Sequence, residues 1–195
     1  KLIAYGGDHV LMDVSYYDSD KILEQYGLTT NNYSLAICRI EPENNVHTIL
    51  EAYSRTPDRN LVFVGNWHKS AYGLEMQKKY DRFHNIKILK AIYDLKALNV
   101  LRSNCRCYIH GHSAGGTNPS LVEAMFFRKP IIAFDCIYNR ESTEDKAEYF
   151  SNSDDLISRI TNDSIDYSAN AEAMIEIANR RYTWSEISKQ YCELY

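Results

Sequence analysis

The sequence predicts an α/β fold: a parallel sheet with helices on both faces, in a Rossmann-like three-layer sandwich. Three observations carry that expectation. Short, apolar, β-rich runs alternate with stretches of helical spacing along most of the chain. Those runs are apolar on both faces, as strands covered from both sides must be. At 195 residues, 45% of them hydrophobic, the chain has the length and apolar content for one core without disulfide or metal staples.

The first predicted strand is Tyr33–Cys38. A helix follows in which Val46, Ile49, Leu50 and Tyr53 share a face. Leu61–Gly65 is the second strand, ended by its glycine. Residues 69–83 read as a polar helix containing Leu74, Met76 and Tyr80. Ile86–Leu89 is the third strand, 93–103 a helix, and Cys107–Ile109 the fourth strand. The small-residue loop His110–Pro119 leads into a helix over 119–128, and Pro130–Phe134 is the fifth strand. Beyond residue 153 the pattern is helical to the end. Ligands of open parallel sheets sit at the carboxyl ends of the strands. The loops after Cys38, Gly65, Leu89, Ile109 and Phe134 are therefore where a site is expected.

With 22 Lys+Arg against 26 Asp+Glu the net charge is −4, which argues against nucleic acid as a partner. No apolar run approaches the roughly 20 residues of a membrane span. The five cysteines (38, 105, 107, 136 and 192) are an odd count without framework spacing, so free thiols in a reducing, cytoplasmic compartment are expected. Cys105-Arg106-Cys107 is a C-x-C with no partner cluster, so no metal is expected. The 16 tyrosines, Tyr16, Tyr17, Tyr191 and Tyr195 among them, read mostly as half-buried packing.

Gly111-His112-Ser113-Ala114-Gly115 matches the nucleophile elbow of serine hydrolases and follows a strand, as that motif requires. All six histidines precede Ser113, however, so no general base follows it in the order that family uses. An elbow helix starting at Ser113 would also contain Pro119 in its interior. The same residues read better as an anion seat. Thr117 or Asn118 is a natural N-cap, Pro119 suits the first helical position, and Ser120 adds a first-turn donor. Gly115 and Gly116 let the backbone approach a ligand. The alternative is a loop that merely turns tightly.

Glu123 shares the helix face of Pro119, about one turn below the anion. A carboxylate there suits the hydroxyl pair of a ribose; its alternative use is to complement the helix dipole. Arg39 directly follows the first strand and is placed to balance a diphosphate charge. Its alternative is a surface ion pair with Glu41 or Glu43. His110 and His112 border the seat, either as proton donors to the leaving group or as packed loop residues.

Together these segments resemble the donor-binding half of GT-B glycosyltransferases of family 4. Tyr33–Arg39 followed by Ile40-Glu41-Pro42-Glu43-Asn44-Asn45 is similar to the family strand ending in Gly-Arg-Leu, with Pro-Glu-Lys-Gly after it. Leu61–Gly65 looks like its second strand. Asn118–Met125 and Arg128–Ala133 resemble its Leu-Leu-Glu-Ala-Met-Ala and Gly-Xaa-Pro-Val-Val signature, and Tyr182–Tyr191 its closing helix. The His112–Ser120 stretch is closer still to a bacterial polysaccharide subgroup that includes rhamnosyltransferases. Two positions depart from the pattern. The first member of the family's Glu-x7-Glu falls at Gly115, and the lysine that accompanies the arginine is replaced near Asn44 or Asn45.

The resemblance covers residues 33–195 and implies a domain plan. Residues 1–32 would end an N-terminal domain and its connection, as the Met-less start at Lys1 and the Ile3–Asp8 segment fit. Residues 33–180 would bind the nucleotide sugar, and 181–195 would form a helix crossing back to the absent domain. The implied activity is transfer of a sugar from a UDP-, dTDP- or GDP-sugar to a glycan or lipid-linked acceptor in surface polysaccharide synthesis. Retention of configuration, no metal and no cofactor are implied, as is a cytoplasmic protein at the inner face of the plasma membrane. Arg39, Asn44, Asn45, Gly115, Gly116, Thr117, Asn118 and Ser120 would hold the diphosphate and Glu123 the ribose. Leu89, Lys90, Ile92 and Tyr93 would border the base. Arg39 and Glu123 would carry the chemistry. The isolated fragment would bind without turnover. Competing classes are a nucleotide-binding module without turnover and a dinucleotide oxidoreductase. The latter lacks G-x-G-x-x-G after the first strand.

Overall fold

The computed structural model describes residues 3–11 and 18–194. Six parallel strands form one sheet: β1 Ser34–Ile37, β2 Leu61–Gly65, β3 Ile86–Lys90, β4 Cys107–His110, β5 Ile131–Phe134 and β6 Glu148–Phe150. Their order is β3-β2-β1-β4-β5-β6. The five expected strands are present within a residue or two. The sixth escaped the sequence reading because it is three residues long and only Phe150 is buried.

Alternating residues of each strand feed two cores. On one face Leu35, Val62, Tyr108, Ile131 and Ala133 pack with residues of α4 (Leu95–Asn104), α5 (Pro119–Met125) and α8 (Ser168–Arg181). On the other, Ala36, Phe63, Ile109 and Ile132 meet α2 (Val46–Ser54), α3 (Ala71–Tyr80) and α7 (Ser153–Thr161). This is the three-layer sandwich that apolarity on both faces predicts.

Helix α3 is shorter than the expected 69–83. Ser70 caps it by accepting from the Gly73 amide at 3.1 Å, and it ends at Asp81. Helix α5 stops at Met125 instead of 128, with Arg128 in the left-handed region at φ 51°. The C-terminal helical stretch is three helices, α7, α8 and α9 (Trp184–Cys192). Two further helices, α1 (Ser19–Gln25) and α6 (Ile137–Ser142), had no sequence signal strong enough to be predicted.

The packing draws no line at residue 33. Leu23 of α1 is buried in the α4/α5 core. The segment before it lies against α5 and the start of α9. The Gly7 amide donates to the Tyr182 carbonyl at 2.7 Å, and Asp8 accepts from the Trp184 amide at 2.8 Å. Tyr33, Tyr53, Tyr80, Tyr108 and Tyr182 are fully buried, not half-buried, whereas Tyr191 is exposed. Tyr16, Tyr17, Tyr195 and Lys1 lie outside the described residues.

Candidate functional site

The chain runs outward from β1 to β2 and β3 on one side and through β4, β5 and β6 on the other. The loops after β1 and β4 therefore diverge at a switch point, where such sheets open a crevice. After β1 come Cys38, Arg39 and the one-turn 3-10 segment Pro42–Asn44, closed by Asn45 at φ 47°. After β4 come Gly111 to Asn118 and then α5.

Side chains brace the inner parts of these two loops against each other. Asn44 is buried; its Nδ2 donates to the Arg39 carbonyl and its Oδ1 pairs with His112 Nδ1, each at 2.8 Å. Asn45 Nδ2 donates to the Gly111 carbonyl at 2.8 Å. The amide and hydroxyl of Ser113 both donate to the Glu43 carbonyl at 2.9 Å. Gly111 must be glycine because a Cβ there would collide with the Asn44 carbonyl oxygen.

This corrects the expectations for Asn44, Asn45 and Ser120. Asn44 and Asn45 are not free to hold a diphosphate, because both amides join loop to loop. Ser120 is likewise engaged: its hydroxyl donates to the Ile37 carbonyl at 2.9 Å and lies 2.6 Å from the Tyr108 hydroxyl. Ser113 is no nucleophile. Its proton points at a backbone oxygen, and neither neighbouring histidine engages it.

The outer part of the crevice is open. Arg39 is exposed and forms no ion pair with Glu41 or Glu43. It stands close enough to His112 to help lower that histidine's pKa, which burial depresses most. Gly115 and Gly116 adopt φ 64° and 31°, and nothing lies within 4 Å of where a Cβ would stand. Conformation, not crowding, selects glycine there. Asn118 is the N-cap, accepting from the Ser120 amide at 3.0 Å, with Pro119 at the first helical position. Thr117, half-buried, completes the turn.

His110 is fully buried and its Nε2 has no partner among the described residues. Burial first, then the neighbouring His112, pulls its pKa down to about 3, so it is neutral and sealed from solvent. That removes it as a proton donor to a leaving group. Cys105 and Cys107 belong to opposite core clusters, so the C-x-C pair does not converge on one ion.

Glu123 lies beyond the first turn of α5 and receives the guanidinium of Arg102 on Oε2. Its partner is thus a buried arginine and not the helix dipole, and its Oε1 lies 3.6 Å from His9 Nε2. Neither Arg102 nor His9 carries a sequence motif that marks it as part of the site. Their signal is tertiary, since they stand 21 and 114 residues away. Of the base-side residues, Leu89 and Ile92 pack onto the α4/α5 core, and Tyr93 is 87% exposed. Lys90 lines a cleft of about 370 Å³ with Asn66, Trp67, His68 and Lys69. The Trp67 indole donates to the Leu89 carbonyl at 2.9 Å, joining the loop after β2 to the end of β3.

The sequence model of a family described as "Glycosyl transferases group 1" matches residues 18–181. The chain belongs to that family. Solved structures agree in fold. HepE of Anabaena in complex with UDP superposes with a TM-score of 0.82 at 20% identity, over 100% of this chain and 56% of that one. Sucrose-phosphate synthase of Thermosynechococcus elongatus gives 0.78 at 18% identity, over 100% and 51%. The C-terminal domain of LpcC, a group 1 family protein of Francisella tularensis, gives 0.68 at 15% identity, over 93% and 97%. No curated protein matches the chain by sequence. This group 1 chain spans about half the length of the first two proteins. Its family match begins at residue 18, just before α1.

Proposed function

We propose that the chain is the donor-binding half of a family 4 type, retaining, metal-independent glycosyltransferase. It moves a sugar from a nucleoside diphosphate to a glycan or lipid-linked acceptor in bacterial surface polysaccharide synthesis, in the cytoplasm at the inner face of the membrane. One observation supports this most: in a group 1 fold, the β1/β4 switch point carries an exposed arginine without an ion pair among the described residues on one loop and an open glycine turn on the other. A UDP-sugar is the first donor to test, because HepE is solved in complexes with UDP and with UDP-glucose. Among the described residues no helix is long and apolar enough to cross a membrane.

In this reading the bond between the anomeric carbon and the diphosphate oxygen breaks, an acceptor hydroxyl oxygen bonds the carbon, and the hydroxyl proton passes to the departing diphosphate. Arg39 and the Gly115, Gly116 and Thr117 amides face the leaving diphosphate, where donors preorganised toward developing charge act most strongly. Glu123 takes the ribose hydroxyls, and the cleft beside Lys90 takes the base. Asn118 contributes its capped backbone rather than a free side chain. The second reading, a binding domain without turnover, is favoured by glycine at position 115, where the family's first glutamate is expected.

Calorimetric titration of UDP-, dTDP- and GDP-sugars into the 195-residue chain tests the proposal. Binding of one of them, weakened by Arg39→Ala, is the expected result; no binding of any overturns it. Transfer by a longer form that includes a partner domain, with none by this chain alone, separates the enzyme from the binding module.

A further inference from the structure

Arg102, in the last turn of α4, is only 4% exposed, yet its guanidinium has a single carboxylate partner among the described residues. It lies between Glu123 Oε2 and the ring of Phe127, 5.7 Å from the centroid, and its Nε has no partner among the described residues. A buried guanidinium so sparsely bonded is a poor stabilising device, since desolvation consumes most of the Coulombic gain. What it does achieve is orientation. Glu123, 20% exposed, has one oxygen immobilised from the protein interior.

The other oxygen lies toward the N-terminal segment. His9 Nε2 stands 3.6 Å from Oε1, beyond hydrogen-bond length, so Oε1 keeps its acceptor capacity. The His9 ring is itself held, its Nδ1 accepting from the Trp184 indole at 3.2 Å. One turn before Arg102 on the same helix face, Asn99 Nδ2 donates to the Val10 carbonyl at 2.9 Å. Helix α4 thus positions both the carboxylate and the segment that faces it.

We infer that Arg102 is a positioning residue for nucleotide recognition: by occupying Glu123 Oε2 it presents Oε1 to the hydroxyl pair of the donor ribose. The inference rests on the proposed ribose role of Glu123. Arg102 touches no substrate. It fixes one rotamer of a carboxylate that would otherwise swing between solvent and ligand.

The test compares the tighter binder of UDP and GDP with its form lacking the ribose hydroxyls, by calorimetry on the whole chain. The wild type is expected to prefer the hydroxylated nucleotide by about tenfold, as for hydrogen bonds to a charged group. Arg102→Met is expected to collapse that ratio while the hydroxyl-free form binds as before, and Arg102→Lys to restore part of it. A merely structural role would weaken both nucleotides equally, and that result overturns the inference. So does an Arg102→Met protein that keeps the preference when Glu123→Gln loses it. If Glu123→Gln also keeps the preference, the ribose reading itself fails. If Arg102→Met does not fold, the Arg102→Lys ratio decides: a preference equal to wild type overturns the inference and a reduced one supports it.

Discussion

The two sides of the β1/β4 crevice are built on opposite plans. The inner side, Glu41–Asn45 against Gly111–Ser113, is closed by side chains whose polar atoms hold neighbouring backbone. The outer side, Arg39 and the Ala114–Thr117 turn, has an exposed cation without an ion pair among the described residues and glycines with empty space where a Cβ would stand. Polar residue types therefore do not mark ligand contacts by themselves. Here asparagine and serine make the rigid frame, and ligand-facing capacity is left to one arginine and to backbone amides.

Substitutions sharpen the contrast. The largest effect is expected on the closed side: Gly111→Ala drives a methyl into the Asn44 carbonyl and should cost about 3 kcal/mol in urea denaturation. If it is tolerated, the two loops are not braced as described. Next comes a pH effect at the root of the same side. His110 is neutral in the fold, with a pKa near 3, but binds a proton readily when unfolded. The unfolded state gains protons as pH falls through 6.5, so stability is lost on acidification and regained as pH rises. The slope should reach about 2 kcal/mol between roughly pH 6.5 and 5, and His110→Leu should flatten it.

Asn44→Ala removes one hydrogen bond across the loops and one within its own loop, and should cost about 1.5 kcal/mol without altering the slope of denaturation against urea. On the open side the pattern reverses. Arg39→Ala should shift stability by no more than about 0.5 kcal/mol while weakening nucleoside diphosphate binding about tenfold. A large stability loss there would show that Arg39 belongs to the frame. Gly115→Ala should cost the fold only about 1 kcal/mol from its left-handed φ alone, far less than Gly111→Ala, because nothing stands in the way of the methyl. Thermal melts of the two variants side by side measure this.

How far the sequence reading reached follows the same division. Periodicity located β1 to β5 because strands buried on both faces cannot hide their composition. The N-cap at Asn118 and Pro119 was legible because it depends on residues adjacent in sequence. The roles of Asn44, Asn45 and Ser120 were misread. Each side chain's partner lies in another loop or strand, and a side chain that suits a phosphate suits a carbonyl equally well. Helix α6 and strand β6 were missed because they are short and sit at the sheet's edge, where few contacts impose a pattern.

The sequence by itself determined the layered α/β architecture, the crevice loops and the family-like order of Arg39, the glycine turn and Glu123. Burial and local capping act through neighbouring residues and leave readable spacing. Only the tertiary structure decided which polar groups stay available. Arg102 and Glu123 are 21 positions apart and His112 and Asn44 are 68 apart, and pairing at such separations depends on how the sheet brings loops together.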